Sequence, residues 1–80
     1  MKVFENREMV NRAIAGYFKH SEGVVSQPDN NSTCIELDGK DYVILKNING
    51  ILAVYRIKND GYLRKLKRYS KKIDEFINNY

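Results

Sequence analysis

Cysteine and proline occur once each in the 80 residues, tryptophan not at all, and glycine only five times. One cysteine, Cys34, excludes an intramolecular disulfide framework. A chain without bridges is expected in a reducing compartment, so the reading is a cytoplasmic protein. Long hydrophobic runs are missing as well: the longest, Ile51 to Tyr55, is five residues, against the ~20 that cross a bilayer. Glu5 interrupts the start of the chain before a secretory apolar stretch can form. No membrane partner is expected. What is present points to a folded unit, because a 42% hydrophobic share with six Tyr and three Phe is too rich for a disordered tail. So few residues build a single core, giving one small domain over residues 1–80.

Hydrophobic spacing predicts a helix over residues 7–20. Val10, Ala13, Ile14, Tyr17 and Phe18 repeat at the helical period, and Asn6 is placed to cap its first turn. Gly16 within that helix is expected to let a strand approach closely. Ser21, Glu22 and Gly23 read as the helix end, Val24 to Gln27 as a short strand stopped by Pro28, and Asp29 to Ser32 as a polar loop. Gly39, Gly50 and Gly61 then stand eleven residues apart, each after Asp or Asn. Asp38-Gly39 and Asn49-Gly50 tolerate the positive φ angles of tight hairpin turns, and Asn59-Asp60-Gly61 suits a three-residue loop. They predict strands at 33–37, 40–48, 51–58 and 62–67. Ser70 is placed to cap a last helix over 71–79, with Ile73, Phe76, Ile77 and Tyr80 on one side. The helical period also joins Leu63, Leu66, Tyr69, Ile73, Phe76, Ile77 and Tyr80 within one arc of about 140°, so a single long helix over 63–80 competes; turn chemistry favours the strand. The fold class expected is α+β: an N-terminal helix, a four- to five-stranded antiparallel meander and a C-terminal helix.

Register follows from the turns. With Asn49-Gly50 at the tip, Ile48 opposes Ile51, Ile44 opposes Tyr55, and Tyr42 opposes Ile57. The opposite face would carry Leu45 with Val54 and Val43 with Arg56. Both faces are then largely apolar, whereas a half-buried antiparallel sheet alternates apolar with polar. Either one helix covers each face, or both share one face and the other, with Tyr42, Ile44, Tyr55 and Ile57, is a protein interface.

Charge divides the chain unevenly. Residues 1–40 sum to −1 and residues 41–80 to +5. Arg56, Lys58, Arg64, Lys65, Lys67, Arg68, Lys71 and Lys72 meet only one acidic residue, Asp60, across 56–72. Cations neutralise phosphates, and the interleaved Tyr55, Tyr62 and Tyr69 offer aromatic faces to unpaired bases. The plain alternative is a solvated surface that maintains solubility.

Chemistry-bearing residues are few. His20, the only histidine, falls at a helix C-terminus, where it serves as a cap. One His and one Cys do not complete a tetrahedral metal site, and Cys34 reads as a small buried strand residue. No glycine-rich phosphate loop occurs, and no cofactor is expected. Ser70-Lys71-Lys72 at a helix start, after a helix and a meander, resembles the phosphate grip of the double-stranded-RNA-binding domain family. Tyr69 and Ile73-Asp74-Glu75 depart from that family's flanking glycine and alanines. The same element order is similar, in size and topology, to small phage-encoded inhibitors and toxin–antitoxin components. The sequence therefore predicts a non-catalytic binding protein. The eight basic residues would take RNA or DNA with low specificity. The alternatives are an acidic protein surface bound at the same residues, or a homodimer, inhibitor or adaptor built on the apolar sheet face.

Overall fold

The structure, a computed structural model, describes residues 2–20, 27–29 and 32–79. The elements run β1 (Lys2–Phe4), α1 (Arg7–Lys19), β2 (Thr33–Leu37), β3 (Lys40–Asn47), β4 (Gly50–Ile57), β5 (Leu63–Lys65) and α2 (Lys71–Asn78). The strands form one antiparallel sheet in chain order, β1-β2-β3-β4-β5. The expected α+β meander is therefore present, with its fifth strand at the N-terminus. Three residues are too short for a periodic signal, and β1 is held by pairing Val3 with Ile35 and Phe4 with Cys34. The expected strand over 24–27 and the helix end at Ser21, Glu22 and Gly23 lie outside the described residues, as do Asn30, Asn31 and Tyr80; Gln27, which is described, carries no strand.

Turn chemistry decides the segment after β4. Gly61 takes φ +86°, Lys58 and Tyr62 close the loop with Lys58 N–H donating to Tyr62 C=O at 2.8 Å, and Tyr62 N–H donates to the Asp60 carboxylate at 3.1 Å. The chain turns back, and residues 63–65 pair with β4 instead of extending α2. At the β2–β3 turn, Asp38 and Gly39 both have positive φ, 53° and 78°, as the mirror-image hairpin turn requires.

The β3–β4 hairpin departs from the expected register. Asn47 pairs with Gly50, leaving Ile48 and Asn49 at the tip, and the Asn47 side chain accepts a 2.8 Å bond from Asn49 N–H. This side-chain turn fixes the tip one residue earlier than Asn49-Gly50 would. Leu52 is then an extra residue on β4, between Lys46↔Ile51 and Leu45↔Ala53. The result is Ile44 opposite Val54 and Val43 opposite Tyr55. A one-residue slip exchanges the faces of a strand relative to its partner.

Each face is covered by its own helix. Val10 and Ala13 of α1 pack on Cys34, Val43, Leu45, Ala53 and Tyr55, with Phe4, Ile57 and Leu63 at the margin. Ile73 and Ile77 of α2 pack on Ile35, Leu37, Ile44 and Val54, with Tyr42, Leu66 and Tyr69 beside them. Both helices have side-chain caps: Asn6 accepts from Met9 N–H at 3.2 Å, and Ser70 accepts from Lys72 N–H at 3.2 Å. Gly16 does not serve a close approach, since a β-carbon there would meet nothing within 4 Å.

Candidate nucleic-acid interface

The eight basic residues run from the end of β4 along the β5 edge of the sheet and into the chain that leads to α2. Arg56 lies on β4, Lys58 at the start of the following loop, Arg64 and Lys65 on β5, Lys67 and Arg68 in the connection, and Lys71 and Lys72 in the first turn of α2. Leu66 N–H donates to Val54 C=O at 2.9 Å, which ties the start of the connection to the sheet. Seven of the eight are exposed, and Arg56 is half-buried.

Alternation divides these side chains between the two faces. Val54 packs with α2 while Tyr55, Ile57 and Leu63 pack with α1, so Arg56 and its cross-strand partner Arg64 share the α2 side. Lys65 points to the α1 side, where its ammonium lies 5.9 Å from the centre of the Tyr17 ring. The cations therefore wrap around an edge.

Little inside the chain neutralises them. Among the described residues the ion pairs are Arg12–Glu8 at 2.9 Å and Lys58–Asp60 at 3.8 Å. Only Lys58 of the eight is engaged, in a long and exposed pair of small energetic weight. Arg56 Nε is buried with no hydrogen-bond acceptor.

The aromatic component is narrower than the sequence predicts. Tyr55 is 6% exposed and Tyr69 packs beside α2 with its hydroxyl 3.4 Å from Asp74, whereas Tyr62 is 72% exposed. Burial raises the Tyr55 phenol, with neighbouring Tyr17 adding to it. Burial also raises that of Tyr69, followed by the charge and hydrogen bond of Asp74. Of the three tyrosines, Tyr62 alone presents a free ring for stacking; Phe18, at 43% exposure, is a further exposed aromatic on α1. Tyr17 as a partner for Lys65 was hidden in the sequence by its place in the apolar helical repeat.

The second predicted surface is divided between the two faces of the sheet. The register shift puts Tyr42 and Ile44 on the α2 side and Tyr55 and Ile57 on the α1 side, with Ile44 and Tyr55 both buried. The shared face of Tyr42, Ile44, Tyr55 and Ile57 is thus corrected: the four residues belong to two opposite cores.

Cys34 is a core residue, 0% exposed, with its Sγ 3.9 Å from the Asn6 carbonyl oxygen. Burial, reinforced by Asp41, pushes the thiol up to about 11, against the smaller opposing effects of Arg7 and the Asn6 contact. It stays protonated at neutral pH and is a poor nucleophile. His20 caps α1 through its backbone, donating to Gly16 C=O at 3.1 Å. Among the described residues no helix is long and apolar enough to span a membrane, and no three His, Cys, Asp or Glu residues form a group able to hold a metal. Comparisons with protein-family models, with curated proteins and with solved structures find no match.

Proposed function

We propose that the chain binds nucleic acid through the phosphate backbone, without catalysis, using the basic rim from Arg56 to Lys72. The carrying observation is that seven of the eight cations there have no ion pair among the described residues, although they crowd one sheet edge and its continuation. Packed like charges raise the energy of the free protein, and a polyanion relieves that repulsion. Wrapping around an edge suits a ridge of phosphates better than a flat array of bases. With Tyr55 in one core and Tyr69 packed against the other, base stacking falls to Tyr62, so low sequence specificity is expected.

The test is binding to single- and double-stranded RNA and DNA at two salt concentrations. Five or six phosphate contacts make affinity fall roughly 10³-fold between 50 and 200 mM salt. Absence of salt-sensitive binding at low salt refutes the reading. Salt-sensitive binding to an acidic protein, with none to nucleic acid, transfers the rim to that partner class.

A further inference from the structure

We propose that Arg56 and Arg64 form a two-guanidinium seat for a single phosphate group. The two residues are cross-strand partners in β4 and β5. Partners so placed have β-carbons about 5 Å apart on one face of the sheet, so both planar forks rise from the same patch on the α2 side. Their like charges repel at that separation. No carboxylate among the described residues lies within ion-pair distance of either. On its other side Arg56 is flanked by its β3 partner, Tyr42, and not by an acidic residue.

Arg56 is the unusual member. Its Nε is sealed from solvent and lacks an acceptor, while its outer nitrogens are not among the buried unpartnered atoms. The stem is thus held by packing and the outer edge of the fork remains available. A fixed guanidinium loses less freedom on binding than a mobile lysine, and its geometry matches two oxygens of a phosphate. Arg64, exposed at the edge strand, supplies the second fork. One phosphate bridging both offsets their mutual repulsion. The proposal deepens the nucleic-acid reading and rests on it for the phosphate's source, a backbone phosphodiester.

The experiment follows the Arg56 Nε–H of the intact, nitrogen-15-labelled chain by NMR, with ionic strength held constant by chloride. Dimethyl phosphate, as a backbone mimic, is expected to shift this resonance saturably, and Arg64→Gln to weaken the response at least tenfold. No response to dimethyl phosphate or to inorganic phosphate overturns the seat, as does a response that Arg64→Gln leaves unchanged. A response to inorganic phosphate alone keeps the seat and overturns the diester as its ligand. In the oligonucleotide assay, the double variant Arg56→Gln with Arg64→Gln is expected to lower the salt slope by about one, because two forks serve one phosphate. A fall of about two means two separate contacts and overturns the seat while keeping the nucleic-acid reading. Saturable phosphate binding with no oligonucleotide binding does the reverse.

Discussion

Replacing Ser32 by Ala tests how the sheet is finished where β2 begins. Beyond the Thr33↔Ile44 pair, the backbone of β2 no longer reaches Lys46, and the Ser32 hydroxyl takes over. It accepts from Lys46 N–H at 3.0 Å and donates to Lys46 C=O at 3.2 Å. The carbonyl has a second partner in Asp29 N–H at 2.9 Å, whereas the Lys46 amide relies on the Ser32 hydroxyl. Ser32 is 1% exposed, so bulk water does not substitute. The variant loses two bonds worth about 1 kcal/mol each, or strands a buried donor at about 1–3 kcal/mol; either route gives a loss of about 2 kcal/mol. For a domain of this size that lowers Tm by about 8–16 °C. Urea unfolding measures the loss, and hydrogen exchange localises it, since the Lys46 amide should become the residue with the largest gain in rate. A stability change below about 0.5 kcal/mol, with the Lys46 amide still protected, refutes the reasoning.

Alkaline stability should report Cys34. Its folded thiol lies near 11 against an ordinary 9.0, so the folded chain retains a proton that the unfolded chain releases. That stability, about 3 kcal/mol, is complete below pH 9 and is lost as pH rises through about 11. The raised phenols of Tyr55 and Tyr69 act in the same direction. Cys34→Ala should flatten the decline of urea-unfolding stability between pH 9 and 11, and an unchanged slope counts against burial as its cause. One substitution should act with opposite signs at two glycines. Gly16→Ala, in open space within α1, should stabilise by about 0.5–1 kcal/mol. Gly39→Ala, at φ +78°, should destabilise by about 1–2 kcal/mol. Equal shifts in thermal unfolding would contradict the assigned turn.

Much of this fold was written in local signals. The helical repeat from Val10 to Tyr17, the caps Asn6 and Ser70 and the turns at Asp38-Gly39 and Gly61 all act through a few neighbouring residues, and the structure uses each of them. What the sequence hid depends on distant partners. β1 is strand only because β2 lies beside it. The tip of the central hairpin falls at Ile48-Asn49, with the Asn47 side chain accepting from Asn49 N–H, and a bulge at Leu52 follows it. The extra residue Leu52 on β4, more than the tip itself, moved Tyr55 and Ile57 to the face opposite Tyr42 and Ile44 and divided the predicted apolar face. Linear composition located the basic cluster, but only strand pairing showed that Arg56 and Arg64 are neighbours and that Lys65 faces the other way.

Edge protection is the strongest rival explanation for the cations, because charged residues on an outer strand block unwanted pairing with other chains. It accounts well for Arg64 and Lys65, which lie on three-residue β5. It accounts less well for Lys67 to Lys72, beyond the strand, and not at all for Arg56. Arg56 sits on β4, inside the edge, where β5 already satisfies pairing. A charge there protects nothing, and its half-buried position and acceptor-less Nε carry a desolvation cost that an exposed lysine serving solubility would avoid. Placing Arg64 directly opposite adds repulsion to that cost. A threonine or tyrosine would suit the free sheet better at position 56. The arrangement becomes favourable when an anion joins the two guanidiniums, so Arg56, the least exposed of the eight, is the residue that separates a ligand-binding rim from a merely soluble one.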